Sequence, residues 1–143
     1  MAFGILALMV ASLFTGAAVY VSAVEHPARA TLDDRGQLAQ WKPSYANGAR
    51  MQASLALIGF ALGLAAWWHG HDWRGLVGAL ALLAGWPYTL LLIMPTNNAL
   101  KALSLAQAGP QSTGLIRRWG RLHLGRTALG VVATALFVWA EIG

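Results

Sequence analysis

Residues 2–24 read AFGILALMVASLFTGAAVYVSAV, with no charged side chain until Glu25, His26 and Arg29 close the stretch. At a rise of about 1.5 Å per residue, a helix of this length covers roughly 30 Å, the thickness of a bilayer's hydrocarbon core. Three further apolar runs follow, over about residues 52–69, 75–95 and 122–142. The chain is therefore read as all-α, a four-helix transmembrane bundle forming one domain over residues 1–143. Composition agrees. The chain is 57% hydrophobic and 10% charged, with a positive mean hydropathy, which leaves too little polar surface for a soluble domain of this size. Val21-Ser22-Ala23 resembles a signal cleavage site, but no Lys or Arg precedes the run and it is long for a signal, so a retained helix is favoured.

Several function classes fall away. There is no cysteine, hence no disulfide, no thiolate nucleophile and no Cys-ligated zinc or iron–sulfur centre. The net charge of +5 lies beside apolar spans, where membrane lipid head groups and topology account for it, so no nucleic-acid partner is expected. Arg29, Arg35, Lys42 and Arg50 fall in the 25–51 connection and Lys101, Arg117, Arg118 and Arg121 in the 96–121 connection; the 70–74 turn holds Arg74 alone. The positive-inside rule then puts both long loops in the cytoplasm and both termini on the other side, as expected for a bacterial inner-membrane protein. Trp67, Trp68, Trp73 and Trp139 suit an interfacial belt at that far side.

Within the spans, Gly59 and Gly63, and Gly75, Gly78 and Gly85, suit close helix contacts. Pro87 predicts a kink that frees a carbonyl near Tyr88 and Thr89. The long first loop is expected to be partly helical, with a short amphipathic helix over 33–40 that turns Leu32, Leu38 and Trp41 inward.

The polar residues gather where the spans end on the cytoplasmic side. Glu25, His26 and Arg29 close the first span, Arg50 and Gln52 open the second, Asn97 and Asn98 close the third, and His123 and Arg126 open the fourth. Ionisable groups at membrane depth need partners, and Glu25 with Arg126 or Arg29 is the expected ion pair. Trp119, His123, Arg126, Gly130 and Thr134 recur at steps of three and four and share one helix face. Ser12, Thr15, Ser22 and His26, through Val19, form a comparable hydroxyl stripe on the first helix. The two faces are expected to meet in the core.

Val24-Glu25-His26-Pro27-Ala28-Arg29, the Trp41…Tyr45 pair, Ile93-Met94-Pro95-Thr96-Asn97-Asn98, and the run from Leu115 to Arg126 (LIRRWGRLHLGR) together resemble the small membrane family called DUF1772, or anthrone oxygenase-like. The resemblance runs over nearly the whole chain. It implies a membrane-embedded oxidoreductase that oxidises the activated methylene of a small lipophilic aromatic substrate with O2, without a required cofactor. An anthrone methylene is acidic enough for a base in a dry pocket to make an electron-rich enolate. His26 or His123 would be that base. Arg126 with Asn97 or Asn98 would stabilise the enolate oxygen, and Arg29 or the imidazolium the developing superoxide. Trp41, Tyr45, Tyr88 and Trp119 would supply flat walls.

Two other readings use the same residues. His26 and His123, with Glu25 nearby, are candidate ligands for haem, iron or copper in a small redox protein, although no His-x-x-x-His or Glu-x-x-His spacing occurs. A noncatalytic assembly partner or small transporter, with a possible homo-oligomer, is the last. No inverted repeat is visible and the polar cluster sits toward one end of the spans, which disfavours transport.

Overall fold

The computed structural model describes residues 2–143. Four helices are long and apolar enough to cross a membrane: α1 (Ala2–Arg29), α2 (Asp34–Gly70), α3 (Trp73–Ala102) and α4 (Pro110–Ile142). They run up, down, up and down. α1 packs on α2 and α4, and α3 packs on the same two, so α1 and α3 face each other across a square bundle. No strand occurs among the described residues. The protein is an integral membrane protein, with side chains such as Leu13, Leu91 and Val132 exposed on the lipid-facing surface.

The helices are longer than the apolar runs that betray them. α2 begins at Asp34 and continues through Pro43 to Gly70, so the long first loop shrinks to residues 30–33. The helix expected over 33–40 is the opening of α2. Leu38 and Trp41 are fully buried there, but Leu32 is exposed, because it precedes the Asp33 cap, whose side chain accepts the Gly36 amide at 2.7 Å. At the other end His71 takes a left-handed φ of 55° and Asp72 caps α3, which closes the α2–α3 connection in very few residues. Trp68, Trp73 and Trp139 are exposed and Trp67 half-buried at this end, as an interfacial belt requires.

Two apolar cores stack along the bundle. One, toward the termini, joins Ala7, Ala11, Phe14, Ala56, Ala79, Leu82, Ala133 and Phe137. The other, toward the opposite end, joins Leu38, Trp41, Ile93, Leu100, Ile116 and Trp119. Small residues set the spacing of the first. A Cβ on Gly63 would stand 2.8 Å from both Ala79 Cβ and Phe137 Cζ, and one on Gly59 2.5 Å from Leu82. Gly78 also lies close to α4, but nothing stands within 4 Å of a Cβ on Gly75 or Gly85, so those two are not packing contacts.

Both odd-numbered helices carry a wider π-helical turn, Val21–Glu25 in α1 and Thr89–Ile93 in α3. Each ends just before a proline, Pro27 and Pro95, that lacks the N–H an α-helical ladder needs. The extra residue rotates all that follows by about 100°. It turns His26, the last member of the expected hydroxyl stripe on α1, away from Ser22, whereas Thr15 and Ser22 do meet α4, at Thr134 and at His123 and Thr127. The inward face is Ala7, Ala11, Phe14 and Ala18, while Ser12 is exposed and donates back to the Leu8 carbonyl at 2.8 Å, and Val19 is exposed too.

Candidate functional site

Between the two cores lies a cavity of about 170 Å³ to which all four helices contribute. Its lining is mostly apolar. The polar members are Glu25 on α1, Ser44, Tyr45 and Gln52 on α2, Thr89 and Asn97 on α3, and His123 and Arg126 on α4, with Trp119 as an aromatic wall. Gly48, Ala49 and Ala53 of α2 face Gly85, Trp86 and Leu90 of α3 along one edge. Trp86 and Leu90 are exposed, and a Cβ on Gly48 or Gly85 would meet nothing within 4 Å. The cavity thus opens sideways, through the α2–α3 seam and within the apolar spans.

His123 is buried and stacks on Trp119 with ring centroids 5.1 Å apart. Its Nδ1 lies 3.1 Å from Ser22 Oγ. Ser22 Oγ is 3.0 Å from Thr127 Oγ1, and Thr127 donates to the Ala18 carbonyl at 3.3 Å. With Thr127 donating to the Ala18 carbonyl, the consistent direction is Nδ1–H to Ser22, Ser22 O–H to Thr127 and Thr127 O–H to Ala18. In that arrangement the proton sits on Nδ1 and Nε2 keeps its lone pair on the cavity-lining ring.

Arg126 lies one turn further along α4. Its Nη1 donates to Thr89 Oγ1 at 3.2 Å, its guanidinium sits 5.7 Å from the Phe14 ring centre, and its Nε is buried without a partner. No carboxylate pairs with it among the described residues. Glu25 instead pairs with Arg29 at 2.5 Å, four residues on along α1. Ser44 also donates to the Glu25 carboxylate, and Arg29 Nε donates to Gln40. Across the cavity, Asn97 Nδ2 donates to the Tyr45 oxygen at 3.2 Å, which leaves the Tyr45 hydroxyl proton free to donate.

The bundle brings Glu25, Tyr45, Asn97, Trp119, His123 and Arg126 to one cavity and keeps other expected residues out of it. His26 packs against Gly120, where a Cβ would collide with its ring, and its ring centre is 6.2 Å from that of Trp119. The extra residue of the π turn swings it off the cavity face. Arg29 is buried, with its guanidinium 5.5 Å from the Trp119 ring centre. Trp41 backs the wall, stacked on Tyr45 at 4.7 Å and edge-on to Trp119. Tyr88 fills the space beside Gly125 and donates to the Leu122 carbonyl at 2.6 Å, tying α3 to α4. Asn98 is exposed, because adjacent helical residues point about 100° apart and Asn97 takes the inward direction. His26, with His123 and Glu25, forms no common ligand set, since only the latter two line the cavity. No group of three His, Cys, Asp or Glu side chains suited to a metal occurs among the described residues.

Sequence reasoning named Gln52 in the ring of polar residues at the span ends but gave it no role, and it singled out neither Thr89 nor the Ser22–Thr127 link. Gln52 carried a signal, an amide at the threshold of an apolar span. Thr89 carried none, because its inward direction is set by its place in the π turn.

The model of the family described as Anthrone oxygenase matches residues 41–136. The chain belongs to that family. For the anthrone oxygenase family this means a membrane oxidoreductase-like role. The matched region holds Tyr45, Gln52, Asn97, Trp119, His123 and Arg126, while Ser22 and Glu25 come from the helix that precedes it. No curated protein and no solved structure matches the chain.

Proposed function

We propose that this anthrone oxygenase family member oxidises the methylene of an anthrone-like aromatic to a ketone with O2, with His123 as the general base. The observation that carries the reading is the hydroxyl chain behind His123, which supports a tautomer with its proton on Nδ1 and its Nε2 free, beside a guanidinium whose Nε has no partner. Nε2 removes one methylene proton. The resulting enolate oxygen is held by Arg126 Nε–H and the Tyr45 O–H, with Asn97 positioning Tyr45. The enolate passes one electron to O2, and the carbon radical and superoxide combine to a C–O bond. Imidazolium returns its proton to the peroxide. Loss of the second methylene proton with cleavage of the O–O bond leaves the ketone and water, so one O2 is consumed per substrate. The chemistry needs no resident cofactor. Of the two expected stabilisers of superoxide, the imidazolium is favoured, because Arg29 is already engaged by Glu25.

The sideways mouth supports a lipophilic substrate that arrives from within the bilayer. Oxygen uptake with emodin anthrone tests the assignment. His123→Ala should lower turnover by about 100-fold or more, whereas His26→Ala should keep it within about tenfold; the reverse ranking would overturn it. The charge of the connections supports a bacterial inner-membrane location with both termini outside the cytoplasm. A reporter fused after Gly143 should be active only on that side.

A further inference from the structure

Two amide oxygens in the cavity have no hydrogen-bond donor. Gln52 is 3% exposed and Asn97 fully buried, both line the cavity, and neither Gln52 Oε1 nor Asn97 Oδ1 has a partner. Asn97 at least uses its nitrogen, on Tyr45. Gln52 has no such duty. It lies two helical turns deeper into the apolar span than Tyr45, a depth at which water is scarce and buried polar groups are normally paired. Its neighbours on the same face are Gly48, Ala49 and Ala53, none of which carries a polar side chain. The free amide therefore meets whatever enters by the sideways mouth.

We infer that Gln52 is a specificity-determining residue that accepts a hydrogen bond from a hydroxyl of the aromatic substrate. The enolate oxygen cannot serve Gln52 Oε1, because both are acceptors; it belongs to Arg126 and Tyr45. The occupant is thus an aromatic ketone that also carries a donor. That donor must be a hydroxyl not adjacent to the ketone, since an adjacent hydroxyl bonds its own carbonyl and has no proton to offer. A substrate lacking a free hydroxyl leaves Gln52 unpaired, and sites built this way reject such analogues strongly.

The inference rests on the cavity as the aromatic site, but its test needs no turnover. The purified protein in detergent is titrated with 2-hydroxyanthraquinone and 1-hydroxyanthraquinone in mildly acidic buffer, and binding is read by quenching of tryptophan fluorescence. The isomers have the same size and apolar area; only the first has a free hydroxyl. The wild type should bind the 2-hydroxy isomer about tenfold or more tightly than the 1-hydroxy isomer. Gln52→Leu and Gln52→Met should each bring the ratio near one. Equal affinities in the wild type, or a preference that survives in either variant, would overturn the inference. The wild-type comparison decides the matter even if both variants misfold. Absence of oxygen uptake with emodin anthrone, which carries a hydroxyl away from its ketone, would instead count against the catalytic reading, and leaves this binding ratio intact as a measurement.

Discussion

Replacing Ser22 by alanine tests the site's most specific geometric claim. Ser22 does not line the cavity, so the change removes no substrate contact. It removes two hydrogen bonds, to His123 Nδ1 at 3.1 Å and to Thr127 Oγ1 at 3.0 Å. Thr127 keeps the Ala18 carbonyl, so the group left in need is His123 Nδ1 on a ring only 4% exposed. One such bond contributes about 0.5–1.5 kcal/mol net. If that energy holds the imidazole in its working tautomer and orientation, its loss lowers kcat by roughly 2- to 12-fold at about 1.4 kcal/mol per tenfold. KM should stay close to the wild-type value. The assay is oxygen uptake over a range of emodin anthrone concentrations, with thermal unfolding in the same detergent. Ser22→Thr keeps a hydroxyl and should recover part of the loss. A fall confined to KM, or a kcat equal to wild type, would refute the positioning role. A loss as large as that of His123→Ala would make Ser22 more than a positioning residue and equally refute the reasoning.

Other outcomes follow from the packing. Gly85→Leu fills the mouth, where a Cβ meets nothing within 4 Å, and should lower kcat/KM for emodin anthrone roughly tenfold or more with little change in Tm. Gly63→Leu, whose Cβ would stand 2.8 Å from Ala79 and Phe137, should destabilise the bundle by about 1–3 kcal/mol or more in the same melt. Glu25→Ala strands the buried guanidinium of Arg29 and should cost about 3–5 kcal/mol, much of it recovered in Glu25→Ala with Arg29→Met, and a melt unchanged by the single substitution would remove the pair from the account. Active protein is expected to be colourless, with no stoichiometric metal by elemental analysis. A haem absorption band, or iron or copper at one per chain that is needed for oxygen uptake, would overturn the cofactor-free mechanism.

The spans were legible because lipid demands long uncharged runs, and residues 2–24 meet that demand without ambiguity. The ends of the helices were not. Where a helix leaves the apolar layer, burial against its neighbours no longer requires apolar residues alone. The stretch DRGQLAQWKPSY at 34–45 therefore reads as a long loop with one short helix over 33–40, although it is the unbroken start of α2. Helical spacing placed Trp119, His123 and Arg126 together because α4 is regular throughout. The same arithmetic failed on α1, where one extra residue in Val21–Glu25 separates His26 from the face that Ser22 occupies. Periodicity cannot see a π turn. The choice between Asn97 and Asn98, and between the two histidines, needed three-dimensional neighbours.

The paired π turns give the two halves of the chain one order of parts: in α1–α2 and in α3–α4 alike, a span, a π turn and a proline lead to a long helix, bearing Trp41 and Tyr45 in the first half and Trp119 and His123 in the second. Seven residues beyond each tryptophan stands Gly48 in one half and Arg126 in the other. The seams between the halves are correspondingly unlike. The α1–α4 seam is zipped by Thr15 with Thr134 and by Ser22 with His123 and Thr127, while the α2–α3 seam carries Gly48 and Gly85 with open space beside them. One half thus brings an imidazole and a guanidinium to the cavity, the other a phenol and a gap.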